Sequence, residues 1–415
     1  MHIFFYAYMC IMKLTTESKK IMKYLKDNTS HIEYPLQSSA INILKEIYTD
    51  MISAEEFITN QAPEKHAFTK EISNKSNIPK PKTFNYSSFP KKIREFIDNN
   101  ALYETTYSVS LFGRQIKIVF VTETHSADGQ LNRFVDAILC WLFILNKYSS
   151  KFCCKAITIY LYFTSHMKCL PVTSEEVLDA IHVNSAFTRT CPVESEIVIF
   201  RKEEWFKVFI HETFHNFGLD FSDSNNKISK HEILKMFPVK SEVNAYEGYT
   251  ECWAEIINVS FCSLHLIKAR TFKEFLETFK VLMCYEIKYS FFQLTKILGF
   301  MGLKYRELFK NSNSSKRELF KEHTNVLAYY VIKTVLLNNF EGFLSWCKKN
   351  NTNLLQFKKT PSNEMSFCNF VKHNFKSDTM INNVDIMEDL NYNDKCGNNK
   401  KFMADNLRMT VCELC

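Results

Sequence analysis

The sequence predicts an α+β protein: a mixed sheet that carries one apolar helix over its core, followed by a mostly α-helical C-terminal region. Three observations predict it. Runs rich in β-branched and aromatic residues cluster between about residues 104 and 200. The segments 131–147, 203–216 and 244–266 carry apolar residues at helical spacing. From 272 to about 350 the helical pattern is nearly continuous.

Taken in order, residues 1–12 (MHIFFYAYMCIM) are apolar but too short to span a bilayer, and they lack a basic n-region and a cleavage site. Residues 13–90 are polar and Lys-rich, with a helix predicted over 38–57 and a Pro-containing linker over 61–90. A helix over 91–99 follows. Two β-rich runs, TTYSVSLF and QIKIVFVTET, flank Gly113 and read as a hairpin. The segment 131–147 is a strongly apolar helix, and 155–164 is a buried strand. Short strands follow at 185–190 and 196–200, then a helix over 203–216 with acidic residues at its start. The stretch 218–243 is rich in turn formers. The next helix begins near Asn244, and Asn244 with Glu247 resembles a capping box. After Lys358 the composition turns polar and predicts a partly loose tail. The expected organisation is an N-terminal region over 1–90, a catalytic domain over 91–268, a helical domain over 269–357 and a tail over 358–415.

Composition excludes several function classes. Glycine is scarce, 8 in 415 residues, and no GxGxxG or GxxxxGK[ST] loop can be assembled from those positions. A GxSxG hydrolase is equally unsupported. Lys+Arg 52 against Asp+Glu 45 gives a net charge of +7 with no long basic run, so a solvated surface is expected and nucleic-acid binding is not. No apolar run reaches membrane-spanning length. The 14 cysteines form no regular framework, so reduced thiols and a soluble, intracellular protein are the expectation. Cys412 and Cys415, with Cys396 upstream, could supply three ligands of a second zinc site, but a loose tail is the simpler reading. Richness in Lys, Asn, Ile and Phe suggests AT-rich coding, which bears on source and not on function.

The chemistry centres on residues 211–215, HETFH. In a helix, positions one turn apart share a face, so His211 and His215 can reach one metal ion. Glu212 beside them can take a proton from a metal-held water and pass it to a leaving amine. A third ligand is needed. In the long pattern HExxHxxGxxH, Gly218 falls on the glycine, but Phe221 stands at the ligand position, and Asp220 is displaced by one; Met236 alone is a weak Met-turn. The better source is the segment YTECWAE, where Glu251 and Glu255 share one helical face.

With these residues the chain resembles the gluzincin class of metallopeptidases, which have a thermolysin-like zincin fold. The resemblance covers roughly residues 104–268. It implies a zincin-like mixed sheet, one Zn2+ held by His211, His215 and Glu251, and Glu255 orienting a ligand histidine; the reverse assignment, with Glu255 on the metal, stays open. It implies Glu212 as the catalytic base and acid. It also implies an edge strand at Asn184–Phe187 that pairs with an extended peptide, with Asn184 and Ala186 binding substrate. Tyr246, Tyr249, Tyr329, Tyr330 and His231 are candidates for steadying an oxyanion. The expected function is zinc-dependent hydrolysis of a peptide or protein substrate; the alternative is a catalytically silent binding or structural protein on the same scaffold.

Overall fold

The computed structural model describes residues 13–29, 38–60, 65–126, 128–309, 314–393 and 400–414. The readings placed on residues 1–12, Cys396 and Cys415 lie outside these. The architecture is α+β: one six-stranded mixed sheet and many helices.

Helices α1 (Thr16–Asn28) and α2 (Ser38–Asn60) come first. Strand β1 (His66–Glu71) then pairs antiparallel with β2 (Tyr103–Leu111) at one edge of the sheet. This corrects the reading of 61–90 as linker only. Every β1 residue is exposed, so the strand lacks the apolar alternation by which strands are recognised. Helix α3 (Lys91–Asn100) buries Ile93 and Ile97.

Strands β2 and β3 (Arg114–Thr122) form the predicted hairpin, with Leu111 opposite Arg114. Phe112 and Gly113 both have positive φ (52° and 74°), the turn that matches the twist of paired strands. Helix α4 (Asp128–Tyr148) crosses back, and β4 (Ala156–Phe163) pairs parallel with β3. After the short α5 (Ala180–Val183) come β5 (Ala186–Thr188) and β6 (Glu194–Ile199). Strand β6 pairs parallel with β4 and antiparallel with β5, which gives the order β1-β2-β3-β4-β6-β5 with β5 at the far edge.

Helices α6 (Trp205–Asn216), α7 (Lys227–Met236), α8 (Ala245–Leu266) and α9 (Phe272–Phe300) follow. Helix α7 lies inside the stretch expected to be turns. Among the described residues, the helical pattern expected from 272 to about 350 is interrupted after Phe300, where a 3₁₀ turn (Tyr305–Leu308) and the short α10 (Ser314–Arg317) stand. A π-helical stretch, Leu327–Ile332, then leads into α11 (Lys333–Asn338) and α12 (Phe340–Asn350).

The loose tail is also corrected. It forms α13 (Pro361–Asn374), α14 (Asp378–Asn393) and α15 (Lys400–Asp405), and residues 406–412 are then buried. Buried side chains satisfy this extended backbone. The Glu286 carboxylate accepts the Val411 and Cys412 N–H groups (2.9 and 2.7 Å), Glu204 accepts that of Thr410 (2.6 Å), and Gln293 donates to the Arg408 carbonyl (2.7 Å). The apolar Leu407, Met409 and Val411 enter the core, while polar side chains of earlier elements meet the backbone of this segment.

Cys153 and Cys191 are joined by a disulfide, which departs from the expectation of reduced thiols, while Cys154 beside it is free. No helix among the described residues is long and apolar enough to cross a membrane.

Candidate metal centre

Helix α6 lies between the sheet and α8. Its start is tied to the core through Glu204, and midway Trp141 of α4 donates its indole N–H to Thr213 Oγ1 (2.8 Å). Its end is a Schellman turn: Gly218 N–H donates to the His215 carbonyl (3.0 Å) and Leu219 N–H to that of Phe214 (2.8 Å), with Gly218 at φ +67°. That turn carries Asp220 back under His215.

His211 and His215 face α8 from consecutive turns of α6. Their Nε2 atoms lie 3.1 Å apart. Glu247 Oε2 sits 3.1 Å from His211 Nε2 and 3.4 Å from His215 Nε2. Among the described residues, His211, His215 and Glu247 form the group whose ligand atoms all lie within 4.8 Å of one another. A tetrahedral centre with bonds of about 2.0–2.1 Å requires ligand atoms about 3.3–3.4 Å apart, so this triangle already has nearly the right size for one zinc-like ion.

The outer nitrogens are occupied. His211 Nδ1 bonds Glu251 Oε2 (2.8 Å), and His215 Nδ1 bonds Asp220. A carboxylate on each Nδ1 directs both Nε2 lone pairs toward Glu247, the usual support of a histidine that ligates metal. The surrounding carboxylates favour positive charge at this centre. Burial alone would pull His215 down, but Asp220 and Glu247 hold it well above the ordinary imidazole range. Burial opposes the Glu247 charge, yet His215 and His211 bring its carboxyl down to about 2.

The carboxylate in the group that could hold an ion is thus that of Glu247, one turn before the expected Glu251. Glu251 stands behind His211 instead, paired also with Lys207. Glu255, expected to orient a histidine, lies a further turn along and pairs with Lys333 (3.5 Å), out of contact with either imidazole. The capping box at Asn244 and Glu247 does not form: the Asn244 side chain donates to Asn325 Oδ1 (2.8 Å), and Glu247 turns to the histidines. The spacing Glu247–Glu251–Glu255 was the available signal, and the capping pattern masked its first member. Asp220 was passed over because only ligation was sought from it. Phe221 packs on Phe357 in the core (4.3 Å between centroids), so the HExxHxxGxxH pattern ends without a ligand.

Glu212 lines a cavity of about 30 Å³ with His211, Glu251, Lys207, Tyr329 and Asn184–Ala186. That is room for a water or two and not for a peptide side chain. Burial raises the Glu212 carboxyl above the ordinary range, opposed by His211 and His215. Strand β5 is held beside α6 by Asn216, whose amide donates to Thr188 Oγ1 (2.7 Å) and to the Arg189 carbonyl (3.1 Å). Phe200 N–H donates to the Ser185 carbonyl (2.9 Å). By antiparallel alternation, Ala186 opposite Ile199 therefore turns its own N–H and C=O to the free edge of the sheet. The Ser185 hydroxyl, on the same cavity wall, is buried without a partner. Asn184 is not free: its side chain accepts from Thr324 (2.8 Å) and its carbonyl from Arg201 (3.0 Å).

Of the aromatic candidates, Tyr329 reaches the centre; its hydroxyl donates to Glu247 Oε2 (3.2 Å) from the π-helical stretch, a distortion that often marks functional positions. The Tyr246 ring stands edge-on to His215. Tyr249 and Tyr330 are spent on the carbonyls of Leu355 and Leu407, and His231 lies exposed, beside Glu232. Asn325 completes the cover by donating to Glu247 Oε1 (3.2 Å).

The approach of this stretch to α8 depends on Gly248. A Cβ there would lie 2.8 Å from Ile332 Cγ2 and 3.3 Å from the Ala328 carbonyl. Gly248→Ala is expected to cost about 1–3 kcal/mol by overpacking. Urea denaturation measures it, and an unchanged midpoint would contradict this contact.

Among protein-family models, curated proteins and solved structures, none matches this chain.

Proposed function

We propose that the protein is a zinc-dependent metallopeptidase of gluzincin type, with a zincin-like catalytic unit built on the sheet, α6 and α8. The observation that carries this reading is the triangle of His211 Nε2, His215 Nε2 and Glu247 Oε2, with edges of 3.1 to 3.4 Å. Two imidazoles and one carboxylate, each imidazole backed by a carboxylate, form a donor set suited to catalytic zinc. When bound, zinc would act as a Lewis acid and make a water nucleophilic near neutral pH.

The remaining roles belong to the chain. Glu212 is the base: its buried carboxylate takes a proton from water in the cavity and returns it to the leaving amine. Ala186, with its backbone groups turned to the free edge, pairs with an extended peptide as an added strand. Tyr329 stands where its hydroxyl can donate to a developing oxyanion once it leaves Glu247.

One observation favours the rival reading, a metal-bearing protein without turnover. The cavity beside Glu212 is small, and Thr324, Asn325 and Tyr329 cover Asn184 and Glu247. The two readings part on one experiment. Metal analysis of purified protein should find about one zinc per chain, and a peptide library should be cleaved. Zinc without cleavage selects the silent scaffold; absence of metal under zinc-replete conditions rejects both.

A further inference from the structure

The imidazole His211 is backed by more than a carboxylate. Lys207 lies one turn before it on the same face of α6, and its ammonium bonds Glu251 Oε1. The other oxygen, Oε2, is 2.8 Å from His211 Nδ1. Lys207 and Glu251 side chains are each 2% exposed. A chain of contacts therefore runs from a buried cation through a buried carboxylate to the imidazole whose Nε2 faces Glu247.

We propose that Lys207 is a positioning residue of the metal centre, clamping Glu251 so that one carboxylate oxygen stays aimed at His211 Nδ1. The proposal rests on reading His211, His215 and Glu247 as metal ligands.

Three features carry it. The first is the division of labour on Glu251: one oxygen serves the ammonium and the other the imidazole, so the carboxylate cannot swing without losing a buried partner. The second is the contrast with His215. Its partner Asp220 is steadied by neutral donors, the Ser222 hydroxyl (2.9 Å) and the Thr250 hydroxyl (3.4 Å). Among the described residues, only the His211 side is held by a charged partner of this kind. The third is energetic. A buried ion pair is often no more stabilising than apolar side chains of the same volume, so stability alone gives no reason for a lysine here. Its contact with the one oxygen that His211 leaves unused does.

The other charges packed around this pair act on it, Lys333 on Glu251 and Glu204 and Glu255 on Lys207, but each makes its shortest contact elsewhere. Lys168 meets Glu204 at 2.9 Å, and Lys333 meets Glu255 at 3.5 Å. Beyond Glu251, the contact of the Lys207 ammonium in this pocket is the Met409 sulfur at 4.0 Å, a weak acceptor. Glu204 and Glu255 lie within electrostatic range of the Lys207 ammonium, but its direct hydrogen bond goes to Glu251.

The test is a double-mutant cycle on metal affinity in the full chain, using Lys207→Met, Glu251→Gln and the double variant. Zinc affinity is read by competition with a chromophoric chelator at one pH. Cobalt(II) absorption reports the symmetry of the site, and melting curves report folding. Lys207→Met should weaken zinc about 10- to 100-fold, the usual effect of losing an outer partner, and change the cobalt spectrum. In the Glu251→Gln background the same substitution should cost nothing further. Two results overturn the proposal: a folded Lys207→Met that binds zinc within about twofold of wild type, or losses that multiply in the double variant. If Lys207→Met does not fold because it strands the Glu251 charge, the double variant, which removes both charges, decides: affinity equal to that of Glu251→Gln supports the clamp, and weaker affinity refutes it. A wild type that binds no metal at all refutes the underlying reading of the centre and is seen before any variant is made.

Discussion

On the proposed reading of the centre, Glu247→Ala should abolish zinc binding, while Glu251→Gln should only weaken it and Glu255→Gln should leave it unchanged. The three glutamates recur at each turn of α8, but only Glu247 faces both Nε2 atoms, at 3.1 and 3.4 Å. Glu251 touches the opposite nitrogen of His211, and Glu255 touches Lys333. Losing a direct ligand should cost more than the about 10- to 100-fold typical of an outer partner. Zinc content after dialysis against a weak chelator ranks the three. If Glu251 proves indispensable and Glu247 dispensable, the register between α6 and α8 described here is wrong by one turn.

The second large effect concerns Glu212. Glu212→Gln keeps the volume and polarity of the side chain and leaves His211, His215 and Glu247 untouched, so metal should remain. Peptide hydrolysis should fall by about 10²- to 10⁴-fold, the usual contribution of a positioned acid–base group. The loss should appear in kcat with KM little changed, because proton transfer belongs to the transition state and not to binding. Burial that raises the Glu212 carboxyl brings it nearer the working range of a group that must both accept and return a proton. A wild-type turnover equal to that of the variant would leave the silent scaffold as the surviving reading.

Much of the architecture was legible because periodicity reports burial. The hairpin at Gly113, the apolar crossover helix α4 and the strands β4 and β6 all show it. The elements missed are those for which periodicity and burial part company. Strand β1 is exposed along its whole length, and its place is set by pairing with β2. Residues 406–412 lie in a stretch of polar composition, yet they are buried, with Glu204, Glu286 and Gln293 supplying the hydrogen bonds that solvent otherwise would. Lys207 did not stand out and Asp220 was weighed only as a ligand, since an outer partner is defined by what it touches; the trace of Lys207 was that it precedes His211 by one helical turn.

By itself the sequence determined that His211 and His215 share one helical face, with Glu212 beside them, because helical geometry relates residues one turn apart wherever the helix lies. It also determined that a second helix offers carboxylates at the same interval. Which carboxylate meets which imidazole was decided only by tertiary structure. Sliding α8 along α6 by one turn, about 5.4 Å, leaves both patterns unchanged and exchanges Glu251 for Glu247 at the centre. That register is set by contacts far apart in sequence: Gly248 admitting Ile332, Lys207 meeting Glu251, and Asn325 and Tyr329 closing over Glu247.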